Sequence, residues 1–135
     1  MDLMGAINVS ASGMSAQTAR MKVLSENIAN ADSITGNNGG AYRRKQVFFK
    51  AELDRATGLT KVAVDRIKED KQTPLKLVFE PANPLADERG YVAYPNVDTL
   101  VESTDMRQAT RAYEANLQAI ESAKEMMARS LDLIR

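Results

Sequence analysis

Apolar residues recur every seven positions in the first thirty residues of the chain. The repeat consists of Ile7, Met14, Met21 and Ile28, and Leu24 lies near its end. Small residues follow the first three of these positions at a spacing of four. A seven-residue repeat places its side chains on one stripe of a helix, which is the pattern of a coiled-coil-like seam. We therefore predict an amphipathic helix in this segment.

Polar residues predict where this first helix ends. Asn27 and Asn30 lie three positions apart and so share a helix face. Their amides both donate and accept hydrogen bonds, which suits capping the last carbonyls and bonding a neighbouring helix. A merely solvated helix end is the alternative. Gly5 and Gly13 each weaken the start of the helix by about 1 kcal/mol relative to Ala, so fraying is expected before Ser12.

A second seven-residue repeat lies near the other end of the chain. It consists of Met106, Tyr113, Ile120, Met127 and Ile134. Three more residues follow its members at spacings of three or four, namely Asn116, Leu117 and Leu131. Residues 96–135 contain no Gly or Pro, which allows one long helix. Thr99 with Glu102 would begin it as a capping box, whereas Asn96 or Asp98 could also start it.

The middle of the chain has a different composition. All four Pro and six of the seven aromatic residues lie between the two repeats, whereas all seven Met lie in the terminal segments. Apolar alternation and turn residues predict four strands there. The strands are expected at 42–49, 61–67, 75–80 and 90–94, with a flexible connector at 34–41 and a mobile polar loop at 50–60.

These elements predict an α+β fold. Repeats at opposite ends of a chain suggest that the two ends pair, and a compact segment between them favours an antiparallel pairing. Long N- and C-terminal helices would then form a coiled-coil-like unit with a small β-rich domain inserted between them. The predicted divisions are 1–33 for the N-terminal helix, 34–95 for the linker and β-rich domain, and 96–135 for the C-terminal helix.

The composition argues against catalytic chemistry. The chain has 18 basic and 18 acidic residues and contains neither Cys nor His. Disulfides, thiolate nucleophiles, zinc sites and histidine bases are therefore absent, so an enzyme is disfavoured and neither a cofactor nor a metal is expected. The acidic pairs Glu69–Asp70 and Asp87–Glu88 lack the spacing of a cation-binding loop.

Charge and hydropathy also limit the expected partners. The basic run Arg43–Lys45 is expected to be a solvated strand edge, and no basic stripe indicates a nucleic-acid partner. Leu3 to Ala19 carries no charge, but its polar residues argue against a membrane span. The N-terminus also lacks the charged region and apolar core of a Sec signal peptide.

The two repeats could form only the core of a helix hairpin, or they could also serve assembly. A lone helix pair is marginal in water, because ordering each backbone residue costs about 1–2 kcal/mol and each buried apolar side chain returns only about 1.5–3 kcal/mol. We therefore expect part of the repeats to pack against other copies or other chains. The predicted assembly residues are Ile7, Met14, Met21, Leu24, Asn27, Ile28, Asn30, Met106, Tyr113, Asn116, Leu117, Ile120, Met127, Leu131 and Ile134.

One stretch resembles a known family. Leu24 to Ser33 reads Leu-Ser-Glu-Asn-Ile-Ala-Asn-Ala-Asp-Ser, which is similar to the N-terminal signature of the bacterial flagellar rod and hook proteins. Further segments resemble the proximal-rod members of this family, in the same order and over nearly the whole chain. These segments are 42–45, 77–87, 90–92, 95–98 and 111–116. The segment 50–60 looks short for the family.

The resemblance implies a structural subunit of the flagellar proximal rod, the drive shaft of the basal body. It implies export by the flagellar type III apparatus without a cleaved signal peptide, and helical assembly in the periplasm through the terminal helices, with the middle segment outside. The implied partners are other copies of the chain, other rod proteins, a membrane-ring adaptor and the export apparatus, with no nucleic acid and no direct membrane insertion. Alternatives are another rod subunit or a cytoplasmic coiled-coil secretion adaptor, which an export assay would distinguish.

Overall fold

A computed structural model describes residues 2–34 and 40–135 of the chain. Along the sequence, two long helices, α1 and α2, flank four strands. The elements are α1 (Leu3–Ala29), β1 (Lys45–Asp54), β2 (Leu59–Glu69), β3 (Lys76–Phe79), β4 (Tyr91–Tyr94) and α2 (Thr99–Ile134). The predicted α+β class, with two packed terminal helices and a β region between them, is confirmed. Most of the predicted flexible connector lies outside the described residues.

Helix α1 begins earlier than predicted. It is helical from Leu3, so the expectation of fraying before Ser12 is wrong. The Asp2 carboxylate accepts a hydrogen bond from the Gly5 N–H at 2.6 Å, which satisfies one of the free donors at the helix start. Gly5 is itself buried. The N-terminal cap and the burial of this first turn offset the conformational cost of the two glycines.

Helix α2 begins after Asp98. The Asp98 carboxylate accepts from the Leu100 N–H at 3.0 Å, and the Asp98 carbonyl accepts from the Glu102 N–H at 3.0 Å. Asp98 is therefore the N-cap residue among the three that the sequence left open. The capping box of Thr99 and Glu102 does not form, because the Glu102 side chain turns into the protein interior.

The strands form two antiparallel ribbons, one of β1 with β2 and one of β3 with β4. In the second ribbon Lys76 lies opposite Tyr94, and Phe79 lies opposite Tyr91. The predicted mobile loop at 50–60 is wrong, since β1 continues through Asp54. Residues 55–58 alone form the turn, and it is closed by a bond from the Gly58 N–H to the Asp54 carbonyl at 2.7 Å.

Two features of this turn explain why the strand continues so far. Gly58 has a φ of 70°, a conformation that glycine adopts without steric cost. Lys61 lies 2.7 Å from the Asp54 carboxylate, and this hydrogen bond lowers the pKa of Asp54. The polar segment around Gly58 thus forms the tight end of a hairpin. Its polar composition had predicted a loop.

The described chain divides into two compact units. The first unit contains residues 1–21, 47–66 and 107–135, and the second contains residues 22–46 and 67–106. The buried apolar residues of the first unit are Ala16, Ala109 and Ala123. Those of the second unit are Val23, Leu24, Ala31, Val92 and Val97. The predicted division at residues 33 and 95 stays a prediction.

Candidate assembly site

A fully buried asparagine organises the second unit. The Asn27 side chain is 0 % exposed. Its amide nitrogen donates to the Lys45 carbonyl at 2.9 Å and to a Glu102 carboxylate oxygen at 3.0 Å. Its amide oxygen accepts from the Tyr42 hydroxyl at 2.7 Å and from the Lys45 N–H at 2.9 Å. These four bonds use both donors and both acceptor positions of the amide, so a substitution at Asn27 leaves buried groups unpaired.

Glu102 is the charged member of this cluster and is also fully buried. One carboxylate oxygen accepts from the Arg44 guanidinium, while the other accepts from Asn27. Arg44 also lies 3.6 Å from the Asp105 carboxylate. A buried carboxylate is costly unless it is paired and hydrogen-bonded, and here both oxygens have donors. The end of α1, the start of β1 and the start of α2 are thereby joined within the second unit.

Asn96 extends the same network towards the turn after β2. Its amide oxygen accepts from the Arg44 N–H at 2.8 Å. Its amide nitrogen donates to the Asp70 carbonyl at 3.0 Å and to the Thr73 carbonyl at 3.1 Å. The Thr73 hydroxyl donates to the Asp70 carboxylate at 2.6 Å, and this hydrogen bond lowers the pKa of Asp70. The turn between β2 and β3 is thus fixed to the start of β1.

We refer to Asn27, Tyr42, Arg44, Asn96 and Glu102 together as the polar centre. Burial raises the pKa of Tyr42 to about 12, and the carboxylates of Glu26, Glu102 and Glu69 add to the effect. In the unfolded chain the Tyr42 hydroxyl loses its proton first as the pH rises, at about its ordinary pKa of 10.0. The contribution of Tyr42 to stability is therefore complete below pH 10 and is lost between pH 10 and about 12.

Replacing Tyr42 with Phe tests this linkage. We expect Tyr42→Phe to be less stable than the wild type at pH 8, because Asn27 loses a hydrogen bond. Between pH 10 and pH 12 its stability should fall less steeply than that of the wild type. Urea unfolding at a series of pH values measures both effects, with Tyr91→Phe as the control because Tyr91 is exposed. A slope for Tyr42→Phe equal to that of the wild type would contradict the assignment.

The helix pair of the first unit packs through small residues. The Arg20 guanidinium donates to the Gln108 side-chain oxygen at 3.4 Å, and the Thr110 hydroxyl donates to the Met21 sulfur at 3.7 Å. Gly13 approaches α2 so closely that a Cβ there would lie 2.9 Å from the Asn116 side chain. Residues later in α1 thus contact residues earlier in α2, so the two helices are antiparallel, as predicted. Ala16 of α1 and Ala109 and Ala123 of α2 are also buried in this unit.

The predicted assembly residues are placed at very different depths. Leu24 and Asn27 are buried. Ten others are half-buried, namely Ile7, Met14, Met21, Ile28, Asn30, Met106, Tyr113, Asn116, Ile120 and Met127. Leu117, Leu131 and Ile134 are exposed. Most of the larger side chains of the two repeats are therefore only partly covered in the single chain. Their contact with other subunits stays a prediction.

Asn27 and Asn30 have different roles in the folded chain. The Asn30 amide nitrogen donates to the Glu26 carbonyl at 2.8 Å, and its oxygen accepts from the Ser33 hydroxyl at 3.2 Å. Asn30 thus caps the end of α1, which is one of the two roles that the sequence suggested for both asparagines. Asn27 makes all its bonds to residues of the second unit. Its predicted bond to a neighbouring helix is made inside the chain, to Glu102 of α2.

Three predicted residues come together in an open groove of the first unit. Met14 of α1 and Tyr113 and Ile120 of α2 line it, and its volume is about 470 Å³. The remaining wall consists of Ala11, Ser15 and Thr18, which are small residues of α1. No charged residue occurs on α1 between Leu3 and Ala19. We refer to these six residues as the helix groove.

The last turns of α2 expose an apolar stripe. Leu131 is 62 % exposed and Ile134 is 82 % exposed. Met127, Leu131 and Ile134 are spaced four and three positions apart, so their side chains share one helix face. We refer to these three residues as the terminal stripe. Large apolar side chains on one exposed face are typical of an interaction surface.

A second exposed apolar surface lies on the ribbon of β3 and β4. Leu77 and Phe79 are more than half exposed, and the Phe79 and Tyr91 rings pack edge to face at 5.3 Å between centroids. Sequence reasoning placed strands here but did not identify this surface. The alternation of Leu75, Leu77 and Phe79 was the available signal, since it predicts that all three side chains lie on one face.

Neither a metal site nor a membrane span is found in the described part of the chain. Among residues 2–34 and 40–135, no three acidic side chains lie close enough together to hold a metal ion. In the same residues no helix is both long and apolar enough to cross a membrane.

Two matches to known protein families show the class of protein to which the chain belongs. The family described as flagella basal body rod protein matches residues 7–37, and the family described as flagellar basal body rod FlgEFG protein C-terminal matches residues 88–133. These matches include most of α1 and α2. With the two-helix fold, they define a flagellar basal-body rod protein.

Full-length relatives identify the family within this class. The flagellar basal-body rod protein FlgC of Escherichia coli O6:H1 is 45 % identical over 135 residues, which cover 98 % of each chain. Its counterpart in Salmonella typhimurium is 43 % identical over the same coverage, and that of Aquifex aeolicus is 39 % identical over 98 % of this chain and 97 % of the relative. The chain belongs to the FlgC family of flagellar basal-body rod proteins. The predicted family and the predicted structural rather than enzymatic role are confirmed.

Proposed function

We propose that this protein is a subunit of the proximal part of the flagellar rod and that it assembles helically through its terminal helices. One observation carries the proposal. The large apolar residues of both repeats are half-buried or exposed in the single chain, while Gly13 of α1 lies close to Asn116 of α2. Apolar side chains left uncovered on a small protein favour burial against another chain.

The proposed assembly assigns different tasks to the segments. Residues 1–33 and 96–135 form the axial core, and residues 34–95 form the outer β-rich part. The polar centre fixes the ends of α1 and α2 to each other and to β1 through Asn27, Arg44 and Glu102. Its role in assembly is therefore indirect, since it sets the orientation in which the subunit presents its helices.

The proposed partners are other copies of the chain, other rod proteins, a membrane-ring adaptor and the flagellar type III export apparatus. The proposed location is the periplasmic part of the basal body. Membership of a basal-body rod family supports both. The lack of Cys is compatible with a chain that crosses membranes unfolded and cannot depend on disulfides.

Charge substitutions in the two repeats test the proposal. Met21→Asp and Ile120→Asp would place an unpaired carboxylate in a packed interface, at a cost of several kcal/mol. We expect normal export of both variants and failed incorporation into rods. The measurements are swimming, the amount of exported protein and the number of rods counted by electron microscopy.

Lys50→Asp is the matched control. Lys50 is exposed on β1 and lies 4.0 Å from Glu52, so its replacement removes only a weak surface contact. We expect cells with this variant to swim normally. Thermal unfolding of the purified variants distinguishes a folding defect from an assembly defect, because Met21 also accepts a hydrogen bond from Thr110. Normal swimming with both helix variants would contradict assembly through the terminal helices.

A further inference from the structure

The terminal stripe and the helix groove are both apolar surfaces that the helix pair leaves uncovered. The groove is lined on α1 by small, uncharged side chains and on α2 by Tyr113 and Ile120. The stripe presents Leu131 and Ile134, which are more than half exposed. An uncharged groove fits an apolar helix stripe whose charged residues point elsewhere. Arg129 satisfies this condition, since it turns away from the stripe and pairs with Glu125 at 2.6 Å.

The stripe cannot reach the groove of its own chain. Met21 contacts Thr110 and Gly13 contacts Asn116, so Thr18 lies opposite the region of Tyr113. Leu131 is further along the same continuous helix by roughly 25–30 Å, at 1.5 Å per residue. Any helix that fills the groove therefore comes from another chain.

We propose that the terminal stripe of one copy docks into the helix groove of the next copy. This inference rests on the proposed assembly and specifies which surfaces meet. A contact between two different surfaces is heterologous, and repetition of such a contact builds a ring or an open helical array rather than a closed two-fold dimer. A rod needs an arrangement of this kind.

The size of the contact fits assembly in an array. The stripe consists of three side chains, Met127, Leu131 and Ile134, over about two helical turns. The area that they can bury is much smaller than the total of about 1,200–2,000 Å² that stable interfaces typically bury. One contact of this size does not hold two subunits together in dilute solution. Several contacts made at once in an array raise the effective concentration and stabilise each one.

Cysteine cross-linking tests the docking directly, because the chain has no native Cys. The double variant Thr18→Cys with Leu131→Cys is produced in flagellated cells and oxidised. Both side chains are exposed in the single chain. We expect disulfide-linked dimers, trimers and longer species of this chain. Each single variant should give no ladder, and a mixture of the two single variants should give dimers only.

Thr18→Cys with Arg129→Cys is the matched control. Arg129 is two positions before Leu131 and so points to the opposite side of α2. This pair should yield at least tenfold less cross-linked material. Equal cross-linking by both pairs, or a cross-link from Leu131→Cys to a different rod protein, would overturn the proposal. Rods that assemble without any ladder would also overturn it and would leave the proposed rod function intact.

A second variant keeps the test valid where the cysteine variants do not assemble. Leu131→Asp with Ile134→Asp should leave the thermal unfolding of the purified protein unchanged, because both side chains are exposed in the monomer. Incorporation into rods should fall at least tenfold. If this variant assembles normally while Met21→Asp and Ile120→Asp do not, the terminal helices serve assembly but the stripe has no part in it.

Discussion

Asn27→Asp is expected to lower the free energy of unfolding by about 3–5 kcal/mol, the usual cost of leaving a buried charge without a compensating partner. Asp has the same shape as Asn but cannot donate. Its second oxygen would lie where the amide nitrogen now lies, 3.0 Å from the Glu102 carboxylate and 2.9 Å from the Lys45 carbonyl. Two carboxylates and a carbonyl would then meet in a fully buried site.

Urea unfolding of the purified variant measures this effect, and Asn30→Asp is the control. Asn30 is half-buried, donates to the Glu26 carbonyl and accepts from the Ser33 hydroxyl. We expect a loss below about 1 kcal/mol for Asn30→Asp, since an acidic residue at a helix C-terminus is mildly unfavourable. Glu26→Gln weakens a half-exposed ion pair with Lys45 at 3.2 Å and should cost still less.

A double variant separates the charge effect from a simple loss of shape. In Asn27→Asp with Glu102→Gln, the new amide can donate to the new carboxylate, and the centre retains one negative charge beside Arg44. We expect this pair to recover part of the lost stability, whereas Glu102→Gln alone weakens the bond to Arg44. A double variant no more stable than Asn27→Asp would show that the carboxylate at position 27 is harmful for another reason.

The effect should extend to the assembled rod. Rod numbers counted by electron microscopy should fall strongly for Asn27→Asp, fall less for Asn30→Asp and remain nearly normal for Glu26→Gln. The order follows from burial, because only Asn27 is part of the polar centre. Equal rod numbers in all three variants would mean that the polar centre is not needed for assembly.

The helices were predictable from sequence because their signals are local. The repeat from Met106 to Ile134 and the absence of Gly and Pro from residues 96–135 are enough to specify α2. The depth of the side chains was not predictable in this way. A repeat identifies the larger apolar residues, but helices can approach most closely where side chains are smallest. Gly13 lies close to Asn116 of α2 and Ala109 is fully buried, whereas Met14 and Ile120 line an open groove.

The polar centre was only partly predictable. Asn27 was identified as an important polar residue, but its partners Tyr42 and Glu102 are 15 and 75 positions away in sequence. No local pattern links such positions. Glu102 was read as half of a capping box, which is the common role of Glu in a first helical turn. Asp98 caps the helix instead, and this leaves Glu102 to pair with Asn27 and Arg44.

Ala109→Leu is expected to disrupt the helix pair of the first unit. Ala109 is 0 % exposed and lies between Gln108 and Thr110, whose side chains contact Arg20 and Met21 of α1. A leucine would add three carbon atoms at a fully buried position, and overpacking typically costs about 1–3 kcal/mol. The helices would have to separate, which would also widen the groove between Met14 and Ile120. We expect lower stability in urea and few or no assembled rods.

Ala115→Leu is the control that makes this result specific. Ala115 is exposed on the same helix, and Ala and Leu have similar helix propensities, so the substitution should change stability by less than about 0.5 kcal/mol. Circular dichroism should show equal helix content in both variants at low temperature, since neither breaks a helix. If Ala109→Leu matches Ala115→Leu in urea unfolding and in rod number, close approach through small residues does not hold the helices together. If only Ala109→Leu loses both, the small residues, rather than the repeats of Met and Ile, hold the subunit together, and the repeats remain available for its neighbours.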